Sequence, residues 1–431
     1  MSEENLTSSV NKNYLEKVMN LAETTDVLAT EDIFDSRGMK LVAKGVKISR
    51  SLQERLILRK LSKPLESSIA VEGGVDIKTV VAEAKRLSET VEPIACMLKV
   101  ASDGGTTPFK ILAGAQIGNA MSMMLTITER GGDSALSHSV MVSLMSVCLA
   151  KQVGLSEKEQ TVAALAGLLH DIGELYIEPQ YLNRQRRLLP HEWRHLAVHP
   201  RIGQMLITEL ESYPPAVAQA VSEHHERFDG VGYPRQLAAK DFSAVGQVLA
   251  VSEKLSRVLV NSDRPLERAE LALKIIPGEH AKGLISAVSK ALRLSTQTQP
   301  PKPDMAPEEA YKNVCGIFER INLSLGMVHE LLDSPTVSSK QGKGLLLKAL
   351  NHIHTVERSF TSTGLYACMD KGAGLLETQN MEILFEAAVA AREIQWRLCN
   401  VARNLALHSV NFDPHEIEAL QPLANLLDWE L

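Results

Sequence analysis

Thr161-Val-Ala-Ala-Leu-Ala-Gly-Leu-Leu-His170-Asp171-Ile-Gly173 is the stretch around which the chain is organised. Its apolar run reads as a buried helix that ends in glycine, so His170 and Asp171 stand side by side at the lip of a core. An imidazole beside a carboxylate has two readings. One is a buried histidine satisfied by the adjacent acid. The other is a metal site, because neutral imidazole suits iron, manganese or zinc and a carboxylate can bridge two such ions. The choice depends on whether further ligands reach the same place.

Of the 13 histidines, seven fall between His138 and His225. His138 shares a helical face with Val142, Met145 and Leu149 and so points toward a core. From His138 to His170, from Asp171 to His199, from there to His224-His225, and on to Glu253, each interval is about one helix and its turn. Successive helices of a bundle would then each deliver one ligand, or an adjacent pair, to a shared centre. His191 and His195, on the approach to His199, read as surface residues. A site of this kind suits two ions about 3.5–4 Å apart, the arrangement used for phosphoryl chemistry: the ions lower the pKa of a water from 15.7 toward about 7 and offset charge on phosphate oxygens.

The 431 residues suffice for several domains. Hydrophobic content of 45% with 23% charged residues is that of a globular protein, and 4% aromatic content favours helices packed through Leu, Ala, Val and Met. The net charge of −6 gives no general attraction to nucleic acid polymers or anionic membranes, so a phosphate substrate must be held locally. Cys96, Cys148, Cys315, Cys368 and Cys399 form no close pair and read as reduced core residues. The polar, acidic start and the lack of any apolar run of about 18 residues point to a cytoplasmic protein.

The expected fold class is mainly α, with a small amino-terminal α+β unit over residues 1–75. There, a helix near Tyr14–Leu21 precedes a β-hairpin (Asp26 to Gly45, Gly38 in the turn), and Ser51-x-x-Glu54 reads as a capping box for a helix over Leu52–Leu61. Connecting helices occupy 76–109. Helices are then expected near 108–129, 135–153, 156–170, from Pro190 to Val198, from Pro200, from Pro215 to His224, and over 244–260 and 266–276. The polar, proline-rich segment 296–305 reads as a linker. Beyond it, 306–431 is a helical interaction or oligomerisation domain, with helices near 307–332, 339–370, 375–408 and 413–428.

Three motifs, His170-Asp171-Ile-Gly173, Leu188-x-x-x-Glu192 leading to His199-Pro200, and His224-His225-Glu-Arg-Phe-Asp-Gly230-Val-Gly232-Tyr233-Pro234, resemble the HD-GYP domain of bacterial cyclic di-GMP phosphodiesterases. The resemblance covers roughly residues 110–295. It implies an HD-superfamily helical bundle in which two divalent ions, commonly iron or manganese, serve to cleave cyclic di-GMP to pGpG and/or GMP. Carried over by position, His138, His170 and Glu253 would hold one ion and His199, His224 and His225 the other, with Asp171 bridging. The loop with Gly232, Tyr233 and Pro234 is linked in that family to substrate access and to contacts with GGDEF-domain proteins.

The chain departs from the family at four places. Glu174 stands three residues after Asp171, at a catalytic position where a lysine usually helps to hold the phosphate; Arg184 is a candidate partner for its charge. Glu253 replaces an aspartate ligand. A family segment of the form Arg-Pro-Tyr-basic appears as Arg264-Pro265-Leu266-Glu267, with Arg268 as a possible substitute. Ser134 occupies the position of a third-metal glutamate, so two ions are expected rather than three. These departures leave open an alternative: a catalytically impaired regulator or scaffold that binds metal or nucleotide and signals through partner proteins.

Overall fold

The structure, a computed structural model, describes residues 9–429 except 103, 132–134, 184, 261–262, 296–304 and 367–379. Ser134, Arg184, Cys368 and nearly all of the expected linker lie outside the described residues. The chain is mainly α-helical and divides into two compact units that do not follow chain order. The first comprises residues 1–183, 196–260 and 281–294; the second comprises 184–195, 261–280 and 295–431.

In the first unit, the amino-terminal helix Lys12–Ala22 starts where the Asn11 side chain accepts hydrogen bonds from the backbone N–H groups of Asn13 and Tyr14. It buries Tyr14, Leu15, Val18 and Met19. The expected hairpin is present but shorter than predicted: β2 (Ile33–Phe34) pairs antiparallel with β3 (Lys40–Val42), and Gly38 turns the chain at φ +82°. Asp35 Oδ1 accepts from the N–H groups of Arg37 and Met39, both at 2.9 Å, which tightens that turn. Residues before it leave the hairpin. β1 (Val27–Ala29) pairs instead with β4 (Ile69–Val71), an apolar strand that the alternation around Gly38 gave no reason to expect. Two further corrections concern helix ends. Ser51 lies inside the helix Arg50–Ile57, which begins after Ser49, so the expected capping box there is absent. A complete capping box instead joins Ser156 and Glu159, opening the helix Glu157–Leu169 that leads to His170.

The predicted helix over 108–129 is two helices, Pro108–Ala113 and Asn119–Arg130. The break is held by the Tyr213 hydroxyl, which accepts from Gly118 N at 2.8 Å, with the Glu211 carboxylate lying where a Gly118 side chain would be. The helix Ala135–Gln152 is buried on nearly every side and packs on Glu157–Leu169 and Ala244–Leu259. Gly167 makes the first contact close: a Cβ there would lie 2.6 Å from Ser143 Cα. Helices His199–Leu210 and Pro215–Glu223 complete the bundle. The expected helix from Pro190 spans only Trp193–Ala197.

The second unit is built on the helices Pro307–Asp333, Lys340–Ser362, Met381–His408 and Pro414–Leu427, joined by Pro265–Lys274. Val314, Ile317, Ile321, Leu346, Ile353, Ile394 and Leu423 form its core. The second helix of the predicted set, expected over 339–370, ends at Ser362, at a turn where Gly364 takes φ +79°. Residues 184–195 and 261–280 are tied into this unit by polar contacts. Arg187 pairs with Asp428 at 2.9 Å, Arg403 lies over the Trp193 ring, and buried Arg397 donates from Nε to Glu279 at 2.9 Å. No helix of the described residues is long and apolar enough to cross a membrane.

Candidate metal centre

Every sequence-predicted metal position lies in the first unit. His138 projects from the first turn of Ala135–Gln152, His170 ends Glu157–Leu169, His199 begins His199–Leu210, and His224-His225 follow Pro215–Glu223. Glu253 comes from the middle of Ala244–Leu259. Helix ends supply most of the ligands because side chains there leave the crowded bundle axis and still inherit its rigidity.

The structure gathers these side chains around Asp171. Asp171 Oδ2 lies 3.0 Å from His170 Nε2 and 3.8 Å from His138 Nε2. Asp171 Oδ1 lies 3.4 Å from His199 Nε2 and 3.6 Å from His224 Nε2. Glu253 Oε2 faces the first pair, 3.1 Å from His138 Nε2 and 3.3 Å from His170 Nε2. His225 joins the second group, its ring centroid 4.1 Å from that of His224. Two groups that could each hold a metal ion share one carboxylate: His138, His170 and Asp171, and Asp171, His199, His224 and His225.

Backbone contacts fix which nitrogen of each ring faces inward. The Nδ1 atoms of His170, His199 and His224 lie 2.8, 2.8 and 2.6 Å from the carbonyl oxygens of Gly167, Leu196 and Val221. A carbonyl only accepts, so each Nδ1 carries a proton and it is Nε2 of each ring that faces the centre, with a lone pair when the ring is neutral. His199 Nε2 and His224 Nε2 are 3.1 Å apart, and His138 Nε2 and His170 Nε2 are 3.2 Å apart. Lone pairs facing each other at that distance repel unless a proton or a cation lies between them. The donor set of imidazole and carboxylate is the one expected for divalent iron, manganese or zinc, and it fits such ions.

Proton affinities within the cluster follow the same geometry. Burial lowers His224 to about 4, and burial together with the His224 ring holds His225 well below the usual histidine value. Burial would also depress His170, yet Asp171 and Glu253 raise it well above its ordinary value. Burial opposes the charge on Asp171, but the facing imidazoles keep it ionised, well below the usual carboxylate range. Glu253 is likewise held low against its burial, chiefly by Arg257. Anionic carboxylates and neutral rings are the forms that bind metal.

Two features of the surrounding shell were not read from the sequence. Arg257, one turn after Glu253, donates from Nε to Glu253 Oε1 at 2.6 Å. Its spacing of four residues was visible, but it resembles an ordinary helix-surface ion pair. The second feature is a pair of buried acids that hold the glycine-rich loop. Glu226 accepts from the N–H groups of Arg235 and Leu237 at 2.7 and 3.0 Å, and Glu223 accepts from Ser243 N at 3.2 Å. A sign was present: Glu226 directly follows the histidine pair. The loop passes so close to its own start that a Cβ on Gly232 would lie 2.3 Å from Glu226 Cα. Tyr233 donates from N to His225 O and stacks on the His225 ring at 4.6 Å, and the Tyr233–Pro234 peptide bond is cis.

Glu174 lies in the single turn Ile172–Tyr176 beyond Asp171, and its charge acts on His199. Arg184 lies outside the described residues; among the described residues Lys17 is a cation beside Glu174. Lys17 Nζ donates to the carbonyls of Glu174 and Leu175, both at 3.1 Å, and Asn13 Nδ2 donates to Tyr176 O at 3.2 Å. Burial lowers Lys17 to about 8. Arg264 and Arg268, expected at the substrate, belong to the second unit. There Arg264 pairs with Glu267 and Glu382, each at 2.9 Å, and Arg268 lies over the Phe385 ring.

Comparison with known proteins bears on the same region. Residues 120–283 match the HD domain family. A cyclic di-GMP phosphodiesterase of Pseudomonas aeruginosa is 33% identical over 139 residues, 32% of this chain and 33% of that protein. The cyclic di-GMP phosphodiesterase response regulator RpfG of Xanthomonas campestris is 32% identical over 32% of this chain and 36% of its own length. A 3'3'-cGAMP-specific phosphodiesterase of Vibrio cholerae is 26% identical over 31% of this chain and 28% of its length. The chain thus spans about a third of the length of these relatives. Among solved structures, an HD-GYP-type protein of Bdellovibrio bacteriovorus, Bd1817, covers 62% of this chain and 96% of its own, at 16% identity and a TM-score of 0.34. The His-Asp pair and the Gly230-to-Pro234 loop both fall inside the family match, which identifies residues 120–283 as an HD domain.

Proposed function

We propose that the chain is a metal-dependent phosphodiesterase that hydrolyses cyclic di-GMP to pGpG and/or GMP. The observation that carries this reading is the division of the Asp171 carboxylate, one oxygen toward His138 and His170 and the other toward His199 and His224. His138, His170, Glu253 and Asp171 would hold one ion, and His199, His224, His225 and Asp171 a second. Two divalent ions, iron or manganese, when bound there polarise the phosphodiester and supply a water acidic enough to attack at neutral pH.

The chain's own groups do the positioning. The backbone carbonyls of Gly167, Leu196 and Val221 hold the Nδ1 proton of three imidazoles, so Nε2 is the atom each ring offers to a metal. Tyr233, stacked on His225, closes one wall and limits water around the reacting phosphate. GGDEF-domain proteins remain candidate partners for the exposed part of that loop.

The test is cleavage of cyclic di-GMP and of 3'3'-cGAMP by the manganese-loaded full chain, beside Asp171→Ala. Cleavage that needs Asp171 supports the reading; cleavage that survives Asp171→Ala removes the site from it. Glu174 favours one second reading, a metal-binding regulator of poor activity, because a carboxylate at that position repels phosphate. A silent wild-type protein that gains turnover on Glu174→Lys would support that alternative.

A further inference from the structure

An anionic substrate at this centre needs a cation that the metal ligands do not provide, and the turn after Asp171 offers an acid. Lys17, beside the turn that carries Glu174, donates to two carbonyl oxygens. Arg257 is placed differently. Its Nε holds Glu253 Oε1, while Glu253 Oε2 faces His138 and His170, so a single carboxylate separates the guanidinium from the ligand cluster. Glu253 is only 4% exposed, whereas the Arg257 side chain is 66% exposed, so the guanidinium emerges from the buried cluster into solvent. The charge of Arg257 also acts on Asp171 and on Tyr233, the residue stacked over His225. The guanidinium therefore stands on the rim that both halves of the centre share.

We infer that Arg257 is the substrate-binding cation of this site, with Nε anchored on Glu253 and its two terminal nitrogens taking the non-bridging oxygens of a phosphodiester. A guanidinium suits this division of labour, since its planar fork keeps two parallel donors free when Nε is engaged. Substrate binding thereby moves from the turn after Asp171 to the Glu253 helix, on the opposite side of the ligand cluster in sequence. The inference rests on the phosphodiesterase reading for its substrate, a cyclic dinucleotide, but not for the anion that Arg257 binds.

The manganese-loaded full chain and its Arg257→Gln and Arg257→Lys variants are compared in three measurements: metal content, KM and kcat for cyclic di-GMP, and calorimetric binding of inorganic phosphate. Arg257→Gln is expected to keep its manganese, raise KM about tenfold or more and weaken phosphate binding to a similar degree, as loss of a charge-assisted hydrogen bond does. Arg257→Lys is expected to recover part of both. Retained metal with unchanged KM and phosphate affinity would overturn the inference. So would loss of manganese with normal KM in the fraction still loaded, because Arg257 would then only support Glu253. If wild-type protein binds phosphate through Arg257 yet cleaves no cyclic dinucleotide, Arg257 stands as the anion site and the phosphodiesterase reading alone fails.

Discussion

Asp171 is the side chain on which the two imidazole groups depend in common, so its removal should act on both at once. Asp171→Ala is expected to take manganese content from two ions per chain to less than one and to cut phosphodiester cleavage at least about 100-fold, with helical circular dichroism unchanged. Retention of two ions would refute its bridging place. The residues that gather around Asp171 were legible in the sequence because metal chemistry restricts candidates to a few types and each helix contributes one position or an adjacent pair. Arg257 and Lys17 were not legible for a different reason. Lysine and arginine occur all along the chain, and only folding reveals that Lys17 reaches residue 174 and that Arg257 emerges from the ligand cluster.

At the scale of elements, the helix carrying His138 and the helix leading to His170 approach as closely as glycine permits. Gly167→Ala would put a methyl group 2.6 Å from Ser143 Cα and 2.8 Å from Ser143 N, backbone atoms that cannot rotate away. The helices must part, and a loss of about 2–4 kcal/mol is expected in denaturant melts, with metal affinity falling alongside. The helices themselves were largely legible from apolar periodicity. The short elements were not: β1 and β4 are distant in sequence and only three residues long, and the break before Asn119 depends on Tyr213, remote in the chain. A second element carries a pH dependence. Burial and the charge of Lys348 lower His352, on Lys340–Ser362, to about 4, below its unfolded value of about 6.5. Between those values the unfolded chain binds more protons, so this contribution to stability is present above pH 6.5 and lost as the pH falls toward 4. Compared with wild type, His352→Gln should show a smaller drop in stability between pH 7 and pH 5, by up to about 2 kcal/mol; parallel curves would contradict this.

For the whole molecule, a ligand that binds only the folded chain adds stability by mass action. Manganese at about 100 times its Kd should add about 2.7 kcal/mol per site, seen as a rise in Tm that a chelator reverses. The Asp171→Ala protein should lose most of that rise. The comparison separates metal linkage from other effects of the chelator. The overall class, a mainly helical chain with a small α+β start, was legible because composition and period act over many residues. The membership of residues 184–195 and 261–280 in the second unit was not, since the partners that tie them there, Arg403, Asp428 and Arg397, are remote in sequence.

That interleaving bears on how the protein is made. Trp193 waits for Arg403, Arg187 for Asp428 and Glu279 for Arg397, partners translated far later in the chain. As the polypeptide leaves the ribosome, the second unit cannot close until its last helix has emerged, and until then the nascent chain presents, without their partners, an indole that becomes half-buried and a carboxylate that becomes buried. Synthesis halted near residue 295 would therefore release these segments unsatisfied, a species for chaperones to hold rather than a finished domain.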